Sequence, residues 1–306
     1  MSALKCTKCH KIPSIYNRPY SGERLCSNCF KASLKVRVQG AINRFEMLDH
    51  WSRIAVGVSG GKDSITLLHL LKELEEDAHG SELIAVTVDE GIRGYRDEAL
   101  GIAERACRAI GVEWRLISFH DLFGYTMDEI ASWERSLGAC SFCGVLRRRA
   151  LNEAAKYVDA DRLALGHTLD DMAQSALLNL LRGDLGKMAS LNPGGFTNSK
   201  FVRRIKPLCE VPERETALYA YLQGFELQGR ACPYAGEAMR EDARKFLGDM
   251  ETRRPGTLFT VYNTSLRLIP EAVSVETMKV CKKCGEPSTG AICRVCQLLD
   301  GKKKVD

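Results

Sequence analysis

Short apolar runs and amphipathic stretches alternate through the middle of the chain. Four runs have the length and β-branched content expected of buried strands, at 54–58, 83–88, 112–119 and 161–165. Each is followed by a stretch with helical periodicity, beginning near Ser64 and then over 96–110, 144–157 and 170–181. Repeated βα units predict an α/β fold with a doubly wound parallel sheet, in which ligands bind at the carboxyl ends of the strands.

A glycine-rich turn follows the first predicted strand. It reads Ser59-Gly60-Gly61-Lys62-Asp63-Ser64. Paired glycines let the backbone approach a ligand closely, and the N–H groups at a helix start bind anions. The segment is not a Walker A loop, because Asp63 rather than Ser or Thr follows Lys62 and the glycine spacing differs. We therefore predict a phosphate site of another kind, to which Lys62 adds a positive charge.

Two more motifs lie at predicted strand ends. The second strand ends at Val88, and the fourth is followed by Gly166-His167-Thr168-Leu169-Asp170-Asp171. We expect Gly166 and His167 to lie close to a nucleotide, and Asp170 or Asp171 to hold Mg²⁺ or the reacting centre. A cap on the next helix is the alternative role for Asp170. Asp171 is the residue that we assign to chemistry.

Size and charge limit the class of protein. The 306 residues leave room for one large α/β domain with small appendages, and a hydrophobic content of 45% is that of a globular protein. No apolar run approaches the roughly 20 residues of a membrane span, and residues 1–6 lack a signal-peptide core, so we predict a cytoplasmic protein without membrane association. The formal net charge of +5 is compatible with an RNA partner. Basic clusters, which are either solvated faces or RNA contacts, lie at 147–149, 203–204, 253–254 and 302–304.

Two sets of paired Cys-x-x-Cys motifs lie near the ends of the chain. The first set is Cys6, Cys9, Cys26 and Cys29. The second set is Cys281, Cys284, Cys293 and Cys296. In a reducing compartment such pairs are metal ligands, and two pairs complete the tetrahedron that zinc prefers. Disulfides are the alternative. We predict one structural zinc ion in each set, because such short segments need metal binding to fold, and the sequence does not decide whether they also contact RNA.

Cys140, Cys143 and Cys232 form a third group, two of them close together and one distant. Three chemistries fit this spacing: an iron–sulfur cluster with one open iron, a redox pair with a resolving thiol, and a three-cysteine zinc site with an open position. Spacing alone does not separate them. Cys107 and Cys209 lie singly in apolar patterns, so we expect them to pack in the core.

The motifs together resemble a known family. The glycine-rich turn resembles the PP-loop of ATP pyrophosphatases, SGGxDS, which grips the pyrophosphate of ATP while AMP is transferred to an acceptor. With CSFCGVLRRRAL at 140–151, GHTLDD at 166–171, Cys-Pro-Tyr at 232–234 and the terminal cysteine pairs, the chain resembles the tRNA 2-thiolation enzymes over almost its whole length. The CxxCGVLRRR run is closer to the archaeal and eukaryotic branch that acts on the wobble uridine. In the thermophile enzymes that act on a T-loop uridine, a lysine stands where this chain has Arg147.

This resemblance implies ATP-dependent tRNA 2-thiolation. AMP is transferred to the C2 oxygen of a uridine, expected at wobble position 34, and sulfur then gives 2-thiouridine with release of AMP and pyrophosphate. The implied partners are tRNA and a ubiquitin-like sulfur carrier with a C-terminal thiocarboxylate, and a homodimer or heteromer is expected. Sulfide on an open iron and a cysteine persulfide are the two alternatives for the sulfur carrier.

The resemblance also implies a role for each motif. The catalytic residues are Lys62, Asp63, Arg147 and Asp171. The residues that bind ATP, with Mg²⁺, are Val58, Ser59, Gly60, Gly61, Lys62, Asp63, Ser64, Val88, Gly166 and His167. Cys140, Cys143 and Cys232 hold a 4Fe–4S cluster. The alternatives are thiolation of the T-loop uridine at position 54, another PP-loop tRNA-modifying ligase or amidotransferase, and a non-catalytic nucleotide-sensing RNA-binding module.

Three segments follow from these motifs. We predict an N-terminal zinc module at 1–33, a PP-loop catalytic domain with the iron–sulfur site at 34–272, and a C-terminal zinc module at 273–306. Within the catalytic domain, Pro193, Gly194 and Gly195 predict a mobile loop over 192–198.

Overall fold

Strands and helices alternate through the centre of the computed structural model, with a small antiparallel hairpin near each end. The structure describes residues 4–78, 80–134, 137–195, 201–235, 240–269, 279–288 and 290–301. The described strands are β1 (Tyr16–Arg18), β2 (Glu23–Leu25), β3 (Arg53–Gly57), β4 (Glu82–Asp89), β5 (Glu113–Ser118), β6 (Arg162–Ala164), β7 (Arg203–Ile205), β8 (Lys279–Val280) and β9 (Pro287–Ser288). The described α-helices are α1 (Ser27–Arg44), α2 (Lys62–Ala78), α3 (Arg96–Ile110), α4 (Phe119–Phe123), α5 (Met127–Ala131), α6 (Ala139–Tyr157), α7 (Leu169–Leu181), α8 (Leu185–Met188), α9 (Glu213–Gln223), α10 (Arg240–Arg253), α11 (Thr257–Arg267) and α12 (Arg294–Asp300). Within these ranges, no helix is long and apolar enough to cross a bilayer.

The central sheet has five parallel strands in the order β5-β4-β3-β6-β7. Val56 of β3 pairs with Ala85 of β4 on one side and with Ala164 of β6 on the other. The chain therefore adds β4 and β5 on one side of β3 and later adds β6 and β7 on its other side. Ligands bind in the crevice at the carboxyl ends of the strands where the order reverses in this way. The predicted α/β fold with a parallel sheet is confirmed.

Alternate residues of the central strands face two separate apolar cores. Ile54 and Val56 pack in the core that includes residues of α2, α3 and α7. Ala55 lies on the opposite face, with Ala154 and Ala155 of α6. Successive side chains of a strand point to opposite faces, so helices cover both sides of the sheet. This burial on both faces is why the strands appear in the sequence as continuous apolar runs.

The edge strand β7 was not predicted. It contains Arg203, Arg204 and a single buried apolar residue, Ile205. An edge strand needs few buried positions and commonly carries charges, so no apolar run marks it.

Helix α6 begins at Ala139, before its predicted start at 144. Cys140 and Cys143 therefore lie in its first two turns. Gly144, which suggested a helix start, is an internal residue, and an added Cβ there would meet only the end of the Arg148 side chain, at 3.8 Å.

The prediction of a mobile loop was wrong for its described part, 192–195. Pro193 and Gly194 are buried, and the Pro193 carbonyl accepts a hydrogen bond from the Lys206 N–H at 2.9 Å. A Cβ on Gly194 would lie 2.3 Å from the Phe45 carbonyl oxygen. The glycines here allow close packing against β7 and the end of α1. Residues 196–198 lie outside the described residues.

Helix α1 carries the N-terminal module into the central domain. It begins directly after Cys26 and buries Phe30, Leu34 and Val38 at four-residue intervals along one side. The helix is continuous across the boundary predicted at 33/34.

The C-terminal module packs against α6. Leu298 of α12 is buried in the same apolar cluster as Leu146. Glu286 pairs with Arg149 of α6 at 2.9 Å and with Lys156 at 3.3 Å. The predicted boundary at 272/273 lies outside the described residues.

Candidate active site

The loop between β3 and α2 is closed by hydrogen bonds among its own residues. The Ser64 hydroxyl accepts from the Ser59 N–H at 3.1 Å and donates to the Gly61 carbonyl at 2.8 Å. Gly60 has a φ of +87°, and a Cβ there would lie 2.5 Å from a backbone oxygen of α3, so only glycine fits. The start of α2, at Lys62, therefore lies at the carboxyl edge of the sheet, where a helix N-terminus favours phosphate.

Residues of α9 contact the first two residues of α2, Lys62 and Asp63. Lys62 Nζ lies 3.0 Å from Asp63 Oδ2 and 2.7 Å from Glu213 Oε1. The Thr216 hydroxyl donates to the other carboxylate oxygen of Asp63. Burial lowers the pKa of Lys62, but the charges of Asp63 and Glu213 outweigh it and leave the pKa above its ordinary value. Burial raises the pKa of Asp63 above its ordinary value despite the neighbouring Lys62.

The segment after β6 fits closely against the start of α2. A Cβ on Gly166 would lie 3.1 Å from the carbonyl group of Asp63, so glycine permits this approach. His167 Nδ1 is buried and has no hydrogen-bond partner among the described residues. Burial lowers the pKa of His167 to about 4. A neutral imidazole therefore stands beside the phosphate loop at neutral pH.

Asp170 and Asp171 cap different helices. Asp171 Oδ2 accepts from the Thr168 N–H at 3.1 Å and completes the capping box of α7. Asp170 Oδ2 accepts from the Glu213 N–H at 2.7 Å, at the start of α9. The alternative that Asp170 caps the next helix was therefore wrong, since Asp171 does so. Burial raises the pKa of Asp170 to about 6, and Asp171 Oδ1 lies 3.5 Å from Arg240 Nη2.

A buried carboxylate, Glu90, connects the phosphate loop to α6. Its Oε2 lies 2.6 Å from Arg96 Nε, and its Oε1 lies 2.6 Å from Arg147 Nε. Arg96 Nη1 donates to the Ser59 carbonyl at 3.1 Å. Arg147 Nη2 donates to Cys143 Sγ at 3.2 Å. The Glu90 carboxylate thus orients Arg96 toward the loop and Arg147 toward the Cys143 thiol.

A cavity of about 310 Å³ lies between the loop and α6. The predicted residues in its wall are Val58, Ser59, Gly61, Asp63, Ser64, Val88, Arg147, Gly166 and His167. The predicted residues Gly60, Lys62 and Asp171 are not part of this wall. Four residues with polar side chains that were not predicted also line the cavity: Glu90, Tyr95, Arg96 and Gln228. Glu90 directly follows β4, so its position at a strand end was an available signal, whereas Gln228 lies in no motif.

Cys140, Cys143 and Cys232 lie near one another at the α6 side of this cavity. Cys140 Sγ donates to the Tyr234 carbonyl at 2.8 Å, and Cys143 and Cys232 pack in one apolar cluster. Burial raises the pKa of Cys143, and the charge of Cys232 adds to this effect. The three sulfur atoms do not form a group within 4.8 Å of one another. At least one pair of these sulfur atoms is therefore more than 4.8 Å apart.

The two terminal cysteine sets are more compact. In each predicted set all four sulfur atoms lie within 4.8 Å of one another. Cys9 and Cys26 Sγ are 3.9 Å apart, and Cys284 and Cys293 Sγ are 3.6 Å apart. These distances match the spacing of about 3.8 Å that tetrahedral zinc imposes. All the cysteines are free thiols, which disagrees with the disulfide alternative, and Cys107 and Cys209 are fully buried as predicted.

The fold and the loop define the class of protein. A family model described as a PP-loop domain matches residues 33–228, which include the five-stranded sheet and the cavity. The chain is therefore a PP-loop protein.

Comparison with known proteins places it more narrowly. Cytoplasmic tRNA 2-thiolation protein 1 from Bos taurus is 38% identical over 98% of this chain and 88% of its own length. A probable sulfurtransferase from Methanocaldococcus jannaschii is 34% identical over 95% of this chain and 86% of its own length. The structure of the U34-tRNA thiolase NcsA from Methanococcus maripaludis, with its 4Fe–4S cluster, has 36% identity and a TM-score of 0.85, covering 97% of this chain and 96% of that one. The chain belongs to the family of the cytoplasmic tRNA 2-thiolation proteins.

Proposed function

We propose that this protein is an ATP-dependent tRNA-uridine 2-sulfurtransferase that modifies the wobble uridine at position 34. One observation carries the proposal: a single cavity has the phosphate loop on one side and the Cys143-bearing helix on the other, joined by Glu90. A non-catalytic nucleotide sensor would not need thiols beside its nucleotide site. An amidotransferase or ligase of the PP-loop class would not need the cysteine trio either.

The phosphate loop supports the activation half of the reaction. The C2 oxygen of uridine is a poor leaving group, and transfer of AMP to it gives a phosphate ester that leaves readily. The start of α2 and Lys62 stabilise negative charge on the departing pyrophosphate, and Asp63 and Glu213 hold Lys62 in position beforehand. Mg²⁺ would enter with the ATP phosphates, since it is usually bound by one or two carboxylates together with phosphate oxygens.

The cysteine trio supports the sulfur half. The donor set is three soft thiolates, and the M. maripaludis thiolase carries a 4Fe–4S cluster, which supports a 4Fe–4S cluster held here by Cys140, Cys143 and Cys232. When bound, such a cluster with three protein ligands supplies an iron that is open to a sulfur atom. Arg147 donates to the Cys143 sulfur. Burial lowers the pKa of Arg147, but the charges of Glu90 and Cys143 outweigh it and raise the pKa, so the cation stays charged beside the thiolate.

The proposals for the target base and the partners are based on similarity to the relatives. The M. maripaludis neighbour is named a U34-tRNA thiolase, which favours wobble position 34 over position 54 of the T-loop. We propose tRNA as substrate, a ubiquitin-like thiocarboxylate protein as sulfur donor, and a homodimeric or heteromeric assembly. The relatives are named cytoplasmic tRNA 2-thiolation proteins, which favours the cytoplasm, in agreement with the sequence prediction.

Each terminal cysteine set would hold one zinc ion, and we propose that both ions serve the site indirectly. The C-terminal module packs on α6, which carries Cys140, Cys143 and Arg147. The N-terminal module packs through Arg18 and Tyr16 against Glu215 of α9. The same helix contacts Lys62 and Asp63 of the phosphate site. Metal-dependent folding of each module thus stabilises one of the two helices.

Anaerobic protein with ATP, sulfide and tRNA tests the proposal. We expect 2-thiouridine in the digested tRNA by mass spectrometry, with AMP and pyrophosphate as the other products. Transcripts with cytidine at position 34 or at position 54 separate the two candidate targets. Product formation on the position-34 variant would contradict the wobble assignment. ADP and phosphate as products would contradict the PP-loop chemistry.

A further inference from the structure

Three cations cluster where the edge strand β7 meets α6. Ile205 packs in the core on the α2 side of the sheet, so the alternation of β7 places Arg204 on the opposite, α6 side, and Lys206 directly follows the strand. Arg204 Nη2 donates to the Arg148 carbonyl of α6 at 2.7 Å. Lys206 Nζ donates to the Ser190 carbonyl at 2.5 Å.

The three cations have no acidic partner in the described parts of the chain. Arg148 lies between two arginines that do have one: Arg147 pairs with Glu90, and Arg149 pairs with Glu286 at 2.9 Å and with Glu153. Arg204 and Lys206 meet only carbonyl oxygens, and no carboxylate within the described ranges lies within 4.0 Å of any of the three side chains. Neighbouring cations without a counter-charge repel one another and create a positive surface potential that attracts anions.

The electrostatics agree with this geometry. Burial and the neighbouring Arg148 lower the pKa of Arg204. Burial lowers the pKa of Lys206 to about 8, and the charge of Arg204 adds to this effect. After burial itself, Lys206 and Arg204 also help to lower the pKa of His167 in the cavity wall. The charge of Asp171 opposes these two cations at His167, and both cations lie close enough to the cavity wall to act on that residue.

We propose that Arg148, Arg204 and Lys206 form a subsite for a backbone phosphate of the RNA substrate, next to the uridine that enters the cavity. This inference rests on the proposed function, because it needs an RNA substrate. The phosphates of ATP have their own site at the start of α2, which combines backbone N–H groups with Lys62. The cluster instead offers long cationic side chains at the open edge of the sheet, as is typical of contacts to a nucleic-acid backbone.

The test replaces all three cations by alanine and measures tRNA binding over a salt series. We expect the affinity at low salt to fall by about 10- to 100-fold, and the slope of log affinity against log salt to become shallower by about 0.7 for each phosphate that the protein no longer neutralises. Affinity for a non-hydrolysable ATP analogue should stay unchanged. The variant also loses the two side-chain hydrogen bonds to carbonyl oxygens, so a modest fall in melting temperature is expected, and unchanged affinity for the ATP analogue shows that the variant is folded.

Two controls sharpen the test. Arg108→Ala removes an exposed arginine at the end of α3, on the opposite edge of the sheet, and should leave the salt slope unchanged. Arg204→Lys keeps the charge and should retain most of the slope. An unchanged slope in the triple variant would overturn the subsite, as would a parallel loss of affinity for the ATP analogue. If the unaltered protein does not thiolate tRNA, the proposed function fails on its own, whatever the salt series shows.

Discussion

Arg18 and Glu215 form a buried bidentate ion pair between the N-terminal module and the central domain. Arg18 Nε and Nη2 each lie 3.0 Å from one carboxylate oxygen of Glu215, and the two side chains are 2% and 0% exposed. Tyr16, Tyr20 and Arg37 donate to the same carboxylate. Glu215 lies on α9, the helix whose first turns also position the charged residues of the phosphate loop. The ion pair therefore fixes the N-terminal module to the helix that shapes the phosphate site.

Replacement of Glu215 by glutamine should destabilise the protein strongly. Arg18 would remain buried with only the more exposed Glu23, 2.7 Å away, as counter-charge, and loss of a buried ionic partner costs about 3 kcal/mol of unfolding free energy. Glu226→Gln breaks the exposed pair with Arg105 and should cost less than about 1 kcal/mol. Urea unfolding of both variants checks this. Equal effects would mean that the buried pair adds nothing to docking.

Lys62→Ala should slow tRNA-dependent release of AMP by about 10²–10³-fold, because a preorganised cation at the pyrophosphate is lost. Thr216→Val should have a smaller effect in the same direction, since it frees Asp63 without removing a charge. Both variants should retain their iron–sulfur absorption. Thr216→Ser keeps the hydroxyl and serves as the control. Full activity in Lys62→Ala would contradict the assignment of the phosphate site.

Cys232→Ser should lose the visible iron–sulfur absorption and the thiolation activity while keeping its zinc. Two remaining thiolates cannot hold the cluster reliably. Cys140→Ser should behave alike, but still transfer AMP to tRNA if only the sulfur step is blocked. A fully active Cys232→Ser protein would rule out the cluster site. Activity in metal-free protein, with a trapped disulfide from Cys232 to Cys140 or Cys143, would instead support a persulfide.

Elemental analysis should find about two zinc ions per chain. Cys281→Ser should lower this to about one and reduce the melting temperature, because the lost metal free energy belongs to folding. Any loss of activity should follow from weaker support of α6 through Glu286. Less than one zinc ion in the unaltered protein would refute the paired sites.

The contribution of His167 to stability should depend on pH in a defined window. Burial lowers its pKa from 6.5 to about 4. Between these values the unfolded chain binds a proton that the folded protein does not, so stability rises with pH by at most about 1.4 kcal/mol per unit and is lost on acidification. His167→Gln should flatten the free energy of unfolding between pH 4 and 6.5 relative to the unaltered protein. Parallel curves for the two proteins would show that His167 titrates normally.

The features that were predicted correctly are those that depend on local residue patterns. Strands β3 and β4 appear as apolar runs because both faces are covered, and the phosphate loop depends on glycines at fixed spacing. The burial of Glu215 could not be predicted, because this residue belongs to a charged segment, Glu213-Arg214-Glu215. Such a segment is typical of a solvated helix start. The burial of Glu215 depends on Arg18, which lies 197 positions earlier. Glu90 was missed for a similar reason: its two arginine partners come from different helices.

The same separation of 197 positions has a consequence for how the chain is made. During translation the hairpin β1–β2 leaves the ribosome before the central sheet, yet Glu215, the buried carboxylate that pairs with Arg18, emerges only after most of that sheet. Contacts between such distant positions form late, because a long segment of chain must first be ordered. A module that is synthesised before the central sheet is thus docked only after that sheet and α9 are in place.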